Sequence, residues 1–222
     1  MSRGERSPVA AARPLPSQGE RPPGAVARLL PPRGERLLPA LSGLLLVLCF
    51  PPFHLLLPPF LALVPFLVFL ADRPTDPPGR WSAFRGGYLL GLLYFGLVLY
   101  WLVIALLYYS SLALLAWLLT VLILAAFTAL FASAVVYVRQ RAPAVPLPVT
   151  AALFWTTLEW TQAHLGDVAF PWLGLGSSLT GFPRLAGAAD LVGARGLSFW
   201  LALVNGLIAS TILAWRRGSA GD

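Results

Sequence analysis

The chain has 222 residues, of which 58% are hydrophobic and 11% charged, and its formal net charge is +7. A soluble domain carries about 25% charged and 45–50% apolar residues, so this composition excludes an ordinary soluble protein and indicates a helical membrane protein. Every basic residue is arginine, and the arginines lie at the ends of apolar runs. That distribution is typical of membrane topology and not of a nucleic-acid-binding patch.

The first 36 residues differ from the rest of the chain. They are rich in Arg and Pro and repeat the triplet Gly-Glu-Arg at positions 4–6, 19–21 and 34–36, a near-repeat of 15 residues. Little in this segment can repay the entropy of ordering, so we expect residues 1–36 to be a disordered tail. A misassigned start codon that reads through repetitive DNA is an alternative, whereas a cleaved signal peptide is disfavoured.

The first apolar run has 35 uncharged residues between Arg36 and Asp72. One continuous helix of that length would measure about 52 Å, which is too long for a single span. The pair Pro51-Pro52 divides the run near its middle, and proline forbids a continuous helix there. The run therefore predicts a proline-broken hairpin of two short helices, Leu37–Phe50 and Leu55–Ala71.

The rest of the chain predicts four further spans and completes an all-α, polytopic membrane bundle of about six transmembrane helices. The run from Gly86 to Val138 holds 53 uncharged residues, enough for two spans with a turn at its central tyrosines. The four spans are predicted at Trp81–Leu107, Leu112–Val138, Leu147–Leu165 and about Leu191–Trp215. We assign residues 37–217 to a transmembrane domain and residues 218–222 to a C-terminal end.

The arginines also predict an orientation. With six spans and both termini in the cytoplasm, 14 of the 16 arginines fall on the cytoplasmic side, and only Arg184 and Arg195 fall outside. This asymmetry is what the positive-inside rule describes. It places the loop after the fifth span on the exterior.

Glu159 is the only charged residue between Arg141 and Asp167. An ionisable residue inside a span costs about 2.5–3.5 kcal/mol at the helix centre, so it is a functional candidate by default. Helical spacing places Trp155, Gln162 and Gly166 on its face, which we expect to point into the bundle and to hold the following loop through its backbone amides. The alternatives are an interfacial carboxylate bonded to an arginine or water, and the ion site of a small transporter.

The loop that follows Glu159 carries Phe170, Pro171 and Trp172 among several glycines. Such a loop could anchor at the headgroups or dip into the membrane beside a lipid-facing cavity. A serine triad or a metal site built from His164 and its polar neighbours is disfavoured, since no nucleophile-elbow or metal-ligand spacing is present. Asn205, in the last span, is interpreted as interhelical glue.

Four stretches, in order, resemble the apolipoprotein N-acyltransferase family. They are "LCFPPF" (48–53), "GGYLLGLLYFGLVLYWL" (86–102), "LEWTQ…FPWLGLGSS" (158–178) and "ADLVGARGLSFWLALVNGLIA" (189–209). The resemblance covers about residues 37–215. Gln162 stands where the family often has Arg, and Ser177 and Leu179 replace its usual Tyr and Gln.

The resemblance implies a bacterial inner-membrane enzyme that moves a fatty acyl chain from a phospholipid to the N-terminus of a diacylglyceryl lipoprotein, without a cofactor. It places seven residues in a scaffold on the lipid side: Glu159, Trp160, Phe170, Pro171, Trp172, Gly176 and Asn205. The family's chemistry uses a Glu-Lys-Cys triad in a periplasmic nitrilase-like domain. The chain has no Lys, and we interpret Cys49 as a packing residue.

We therefore expect the chain alone to be inactive, as a fragment of such an enzyme or as one half of a split enzyme whose nitrilase-like domain is encoded separately. The alternatives are a non-catalytic membrane protein that binds lipid or lipoprotein, and the small transporter that would use Glu159.

Overall fold

A computed structural model describes residues 35–219, and all regular structure in that range is helical. The predicted disordered tail lies outside the described residues except for Glu35 and Arg36, as do residues 220–222. The helices, in chain order, are α1 Leu37–Leu48, α2 Pro58–Leu61, α3 Val64–Ala71, α4 Pro77–Val98, α5 Tyr100–Leu107, α6 Ala113–Arg141, α7 Leu147–Ala163, α8 Pro183–Ala186 and α9 Ala189–Gly218.

The proline hairpin is present, but its second arm is shorter and more broken than predicted. Helix α1 ends before Pro51, and regular structure resumes only at Pro58. The arm then divides into α2 and α3 at Ala62 and Leu63. Pro65 follows this break, and a proline there lacks the amide hydrogen and sterically opposes the carbonyl four residues earlier. The start predicted at Leu55 was therefore wrong, whereas the irregularity expected from the prolines of this arm is present as a break between two helices.

The third predicted span is a bent pair of helices. Helices α4 and α5 meet at Leu99 with a bend of 46°, so a continuous helix over 81–107 was wrong. Helix α4 also begins four residues earlier than predicted. Asp76 explains the early start, because its Oδ1 accepts a hydrogen bond from the Gly79 amide at 2.8 Å and Pro77 occupies the first helical position.

The described residues form a helical membrane bundle, but they do not confirm six full-length spans. Helices α6 and α9 are long and apolar enough to cross a membrane, and the bent pair α4–α5 can supply a third span. Helix α7 has 17 residues and α1 has 12. These lengths correspond to about 25 Å and 18 Å, whereas the hydrocarbon core of a bilayer is about 30 Å thick.

Small residues bring α4 and α6 into close contact. A Cβ atom at Gly87 would lie 2.5 Å from the Thr128 carbonyl oxygen, and the Thr128 hydroxyl donates to the Gly87 carbonyl at 2.9 Å. Small residues permit such close backbone approach between membrane helices. On the other side of the bundle, α7 packs along α9, which brings the carboxyl end of α7 against the start of α9.

The arginine-rich end of the bundle has its own polar contacts. Arg139 on α6 donates through Nη1 to the Leu70 carbonyl at 2.6 Å and so satisfies the last turn of α3. Glu35 forms an ion pair with Arg73 and accepts a hydrogen bond from Ser82. Burial raises the pKa of Glu35, but the contacts with Ser82 and Arg73 outweigh it and hold that pKa below its usual value.

Candidate functional site

Glu159 lies in the penultimate turn of α7, and its side chain is buried inside the bundle. The residue is 3% exposed and shares its face with the buried residues Trp155 and Gln162. The predicted face is therefore confirmed for Trp155 and Gln162. It was wrong for Gly166, which lies beyond the end of α7 and is exposed. A carboxylate at this position must be satisfied by protein groups, because burying an unpaired charge is strongly unfavourable.

Three donors from three different segments satisfy the Glu159 carboxylate. Oε1 accepts hydrogen bonds from Trp155 Nε1 on the same helix and from the Leu175 backbone amide in the loop, both at 2.7 Å. Oε2 forms an ion pair with Arg195 Nη1 at 2.9 Å. The expected bond to a loop amide is present, and so is the arginine partner of the alternative interpretation. The carboxylate thus joins α7, the loop and α9.

The loop between α7 and α8, residues 164–182, is held at several further points. The Phe170 amide donates to the Gln162 carbonyl at 2.7 Å. The buried Tyr94 of α4 donates through its hydroxyl to the Leu173 carbonyl at 2.8 Å. The Gly176 amide donates to the Ser198 hydroxyl on α9, also at 2.8 Å. At these three points the irregular backbone is bonded to protein groups, which is how non-helical backbone is tolerated in membrane proteins.

Gly176 allows the loop to approach α9 closely. A Cβ atom at this position would lie 2.2 Å from the Ala194 carbonyl oxygen and 2.8 Å from the Ser198 amide nitrogen. Both atoms belong to the backbone and cannot move aside as a flexible side chain would. Any larger residue must therefore displace the loop from α9.

The aromatic residues of the predicted scaffold have different surroundings. Trp172 is 57% exposed, and its ring centroid lies 5.8 Å from that of Trp101 on α5 and 5.3 Å from that of Phe170. Pro171, between them in sequence, is exposed. Trp160 points away from the Glu159 cluster, because its ring is exposed and stacks on His164 with centroids 4.5 Å apart.

An apolar cavity of about 540 Å³ lies between the end of α1, the proline hairpin and the α4–α5 bend. Leu44, Leu48 and Pro52 line one side, and Leu97 and Tyr100 line the other. The residue after Tyr100 is Trp101, which contacts the loop through Trp172. The start of α5 thus contributes Tyr100 to the cavity and Trp101 to the contact with the loop.

Asn205 belongs to a different cluster, as the interpretation of interhelical glue requires. Its Oδ1 accepts from the Leu63 amide at 2.9 Å, and its Nδ2 donates to the Pro59 carbonyl at 2.9 Å and to the Leu201 carbonyl at 2.8 Å. The side chain joins α9 to the interrupted backbone between α2 and α3. Within residues 35–219, its hydrogen bonds go to Leu63, Pro59 and Leu201 and not to Glu159.

The disfavoured nucleophiles make only local contacts. The Cys49 thiol is fully buried and donates to the Leu45 carbonyl of its own helix at 3.3 Å. The hydroxyls of Ser177 and Ser178 donate to carbonyls three residues earlier, at 2.5 and 2.6 Å. His164 Nδ1 lies 2.7 Å from the Trp160 carbonyl oxygen. These groups bond to nearby backbone, and the histidine is bonded to neither serine hydroxyl.

Sequence reasoning identified Glu159 and its loop but missed three partners of the site. Arg195 was noted only as one of two arginines outside the cytoplasmic set, although it was the nearest available countercharge in the adjacent span. Ser198 and Tyr94 carried no separate signal, because a serine and a tyrosine within apolar spans are common. Only the packing of α4 and α9 around the loop brings them to it.

The family model of the apolipoprotein N-acyltransferase N-terminal domain matches residues 42–207. The chain belongs to this family. The matched range includes Glu159, the loop, Arg195 and Asn205, so the site lies within the part of the chain that defines the family. The resemblance found in the four sequence stretches is thereby confirmed.

Three similar relatives of this N-acyltransferase family member are all named apolipoprotein N-acyltransferase. The protein of Geobacter metallireducens is 34% identical over 174 residues, which cover 76% of this chain and 32% of the relative. The Chlorobaculum tepidum protein is 30% identical over 77% of this chain and 30% of its own length. The Caulobacter vibrioides protein is 32% identical over 82% and 33%. The chain therefore spans about a third of the length of these relatives.

Proposed function

We propose that residues 37–217 are the membrane domain of an apolipoprotein N-acyltransferase in the bacterial cytoplasmic membrane, with both termini in the cytoplasm. The enzyme would transfer a fatty acyl chain from a phospholipid to the N-terminal amine of a diacylglyceryl-cysteine lipoprotein. Family membership and the names of the relatives support the reaction. The apolar helices support the location.

The Glu159 carboxylate has the role of positioning the Phe-Pro-Trp loop within this domain. The observation that carries this role is the buried carboxylate that accepts from Trp155, Leu175 and Arg195 at once. A loop tied to two helices through one charged group keeps a fixed shape, because losing the carboxylate leaves several buried donors unpaired. The tie holds the exposed ring of Trp172 beside the α5 aromatics.

The apolar cavity beside Trp101 offers a surface for the acyl chain of a lipid substrate. Its lining is almost wholly aliphatic and aromatic, and lipid pockets are mostly apolar with few polar groups. In this proposal, the fixed loop would orient the lipid ester towards the exterior side. In this proposal, the role of the membrane domain is to orient the lipid substrates.

The acyl-transfer chemistry itself belongs to groups outside these 222 residues. The triad that the resemblance implies requires a lysine, and the chain has none. The buried Cys49 thiol donates its hydrogen bond to the Leu45 carbonyl of its own helix, and a nucleophilic thiol needs an adjacent base. A nitrilase-like domain, in the same polypeptide or encoded separately, would supply the triad.

The geometry favours neither alternative function. An ion-carrying carboxylate must exchange its ligand, whereas Glu159 has three protein donors, including the cation of Arg195. A purely lipid-binding protein would need no loop fixed at the outer end by a buried charge, although its apolar cavity would look the same. The membrane-domain proposal accounts for both features.

A chimera tests the proposal. Residues 37–217 would replace the matching membrane segment of the Geobacter metallireducens relative, and N-acylation of a diacylglyceryl lipopeptide would be followed by mass spectrometry. We expect the chimera to be active and Glu159→Ala to lose about tenfold or more, because each unpaired buried donor costs about 1–3 kcal/mol and 1.4 kcal/mol corresponds to a factor of ten. Glu159→Gln should fall between the two.

Thr157→Ala is the matched control, since Thr157 is exposed on the same helix two residues away. It should keep the activity of the parent chimera. A chimera that is folded by thermal melting but inactive would overturn the proposed function. Full activity of Glu159→Ala in an active chimera would overturn the positioning role alone.

A further inference from the structure

A second cavity, of about 430 Å³, lies at the opposite end of the bundle from Glu159. It is enclosed by the end of α6, the start of α7 and the end of α9, and its lining includes Arg139, Val145, Pro148, Ser210, Leu213 and Arg217. Helix α7 separates it from the loop, since Leu147 and Glu159 are 12 residues apart, about 18 Å along the axis. The cavity is not part of the site described above.

Two arginine side chains, Arg139 and Arg217, line this cavity. Arg139 is half-buried and is held in place by bonds from its Nη1 to the carbonyls of Leu70 at 2.6 Å and Arg73 at 3.3 Å. Arg217 is exposed and lies within electrostatic range of Arg139. Among residues 35–219 no ion pair is formed by Arg217. Two like charges at one cavity favour an anion between them.

The other charged groups nearby do not remove this positive charge. Asp72 lies within range of Arg139, but its carboxylate also contacts Arg216 at 3.8 Å. The single negative charge of Asp72 is set against three positive charges, those of Arg139, Arg216 and Arg217. This end of α9 therefore keeps an excess of two positive charges. The amino end of α7 adds to it, because Pro146 provides no side-chain cap and the first helical amides carry partial positive charge.

Apart from Ser210, the remaining wall of the cavity is aliphatic. Val145, Pro148 and Leu213 face it together with the two arginines, and α6 and α9, which end here, are the two long apolar helices. A cavity that is basic on one side and apolar on the other, at the ends of membrane helices, matches the head and upper acyl region of an anionic lipid. Basic pockets between transmembrane helices bind such headgroups.

We propose that this cavity binds an anionic phospholipid, with Arg139 and Arg217 contacting the phosphate and Val145, Pro148 and Leu213 contacting the apolar part of the lipid. The occupant is a lipid of the surrounding leaflet and not free phosphate, which would make no use of the aliphatic wall. The site is separate from the acyl substrate site and does not depend on the proposed reaction.

Neighbouring arginines provide a matched test. The complete chain, purified in an uncharged detergent, would be titrated with short-chain phosphatidylglycerol and, separately, with phosphatidylcholine, and bound lipid would be counted by native mass spectrometry. Arg217→Gln should weaken phosphatidylglycerol binding by roughly fivefold, the effect of one basic residue at an anionic lipid. Arg216→Gln removes the same charge from the adjacent position, which does not line the cavity, and should bind as the wild type does.

Each other result overturns the proposal. Equal weakening by Arg216→Gln and Arg217→Gln would show a general charge effect. Equal binding of phosphatidylcholine and phosphatidylglycerol by the wild type would show that the arginines do not select the lipid. Displacement of bound phosphatidylglycerol by millimolar inorganic phosphate would show that phosphate alone is recognised. Arg139→Gln should weaken binding further than Arg217→Gln, with a thermal melt to confirm that the variant is folded.

Discussion

Two buried polar side chains, Glu159 and Asn205, hold the irregular parts of this molecule. Each lies on a helix and forms hydrogen bonds with backbone groups of an irregular segment, where the regular helical hydrogen bonds are missing. Glu159 accepts the Leu175 amide of the loop, and Asn205 accepts the Leu63 amide at the break after α2. In the apolar part of a membrane, an unpaired amide costs several kcal/mol, so these side chains replace the hydrogen bonds that a continuous helix would supply.

Asn205→Ala should destabilise the chain more than an ordinary interhelical contact would. The substitution leaves the Leu63 amide and the Pro59 carbonyl without their partner, at about 1–3 kcal/mol for each buried group. Denaturation of the chain in mixed micelles measures this loss. Thr211→Ala is the control, because the Thr211 hydroxyl is exposed and bonds only to the Leu207 carbonyl of its own helix. Equal, small losses for both variants would show that Asn205 is dispensable.

At the scale of elements, the close fit between the loop and α9 determines where the loop lies. The short turn Leu175–Leu179 packs on α9. Gly193 has φ of +70° and interrupts the regular helix near its start, just before Ala194 and Arg195, which both face the loop. A bulge in either element would separate the Glu159 carboxylate from Arg195.

Gly176→Ala should loosen the loop without removing any polar partner. Its Cβ would lie 2.2 Å from the Ala194 carbonyl oxygen, and overpacking of this kind costs about 1–3 kcal/mol. We expect faster protease cleavage within residues 164–182 and a lower unfolding temperature. Gly187→Ala is the control, because its nearest contact would be 3.5 Å, and it should behave as the wild type does. Unchanged cleavage in Gly176→Ala would contradict the tight packing of this loop.

For the whole molecule, the helix lengths alone do not determine which segments cross the membrane. Helices α6 and α9 meet the length of a span, and α4 with α5 meets it if the bent pair is counted as one. The shorter helices α1 and α7 would cross only with help from their neighbours or from local thinning of the bilayer. The arginine asymmetry still predicts that all six segments cross and that the loop lies outside.

Reporter fusions test this topology directly. A fusion after Arg141, at the end of α6, should report the cytoplasm, and a fusion after Asp167, beyond α7, should report the exterior. The reason is that Arg139 and Arg141 retain their end of α6 on the cytoplasmic side. A fusion after Gly218 should again report the cytoplasm. If the first two fusions reported the same side, α7 would not cross and the six-segment topology would be wrong.

The sequence by itself determined the class of the molecule, its family and the buried position of Glu159. Long uncharged runs can only be buried in lipid, Pro51 and Pro52 must interrupt a helix, and a lone carboxylate in an apolar run must face protein. These conclusions follow from local composition and spacing, which a single chain displays in full. The helix boundaries near Asp76 and Leu99 were less accurate, because a cap or a bend depends on a few backbone angles.

Only the tertiary structure decided what satisfies each buried polar group. Arg195 is 36 residues from Glu159, and Asn205 is 142 residues from Leu63, and no periodicity connects positions so distant. Trp160 follows Glu159 directly, yet it points to the surface, because adjacent residues on a helix differ by about 100° in direction. The basic cavity at the far end also arises from packing, since Arg139 and Arg217 belong to different helices whose ends line one cavity only in the folded bundle.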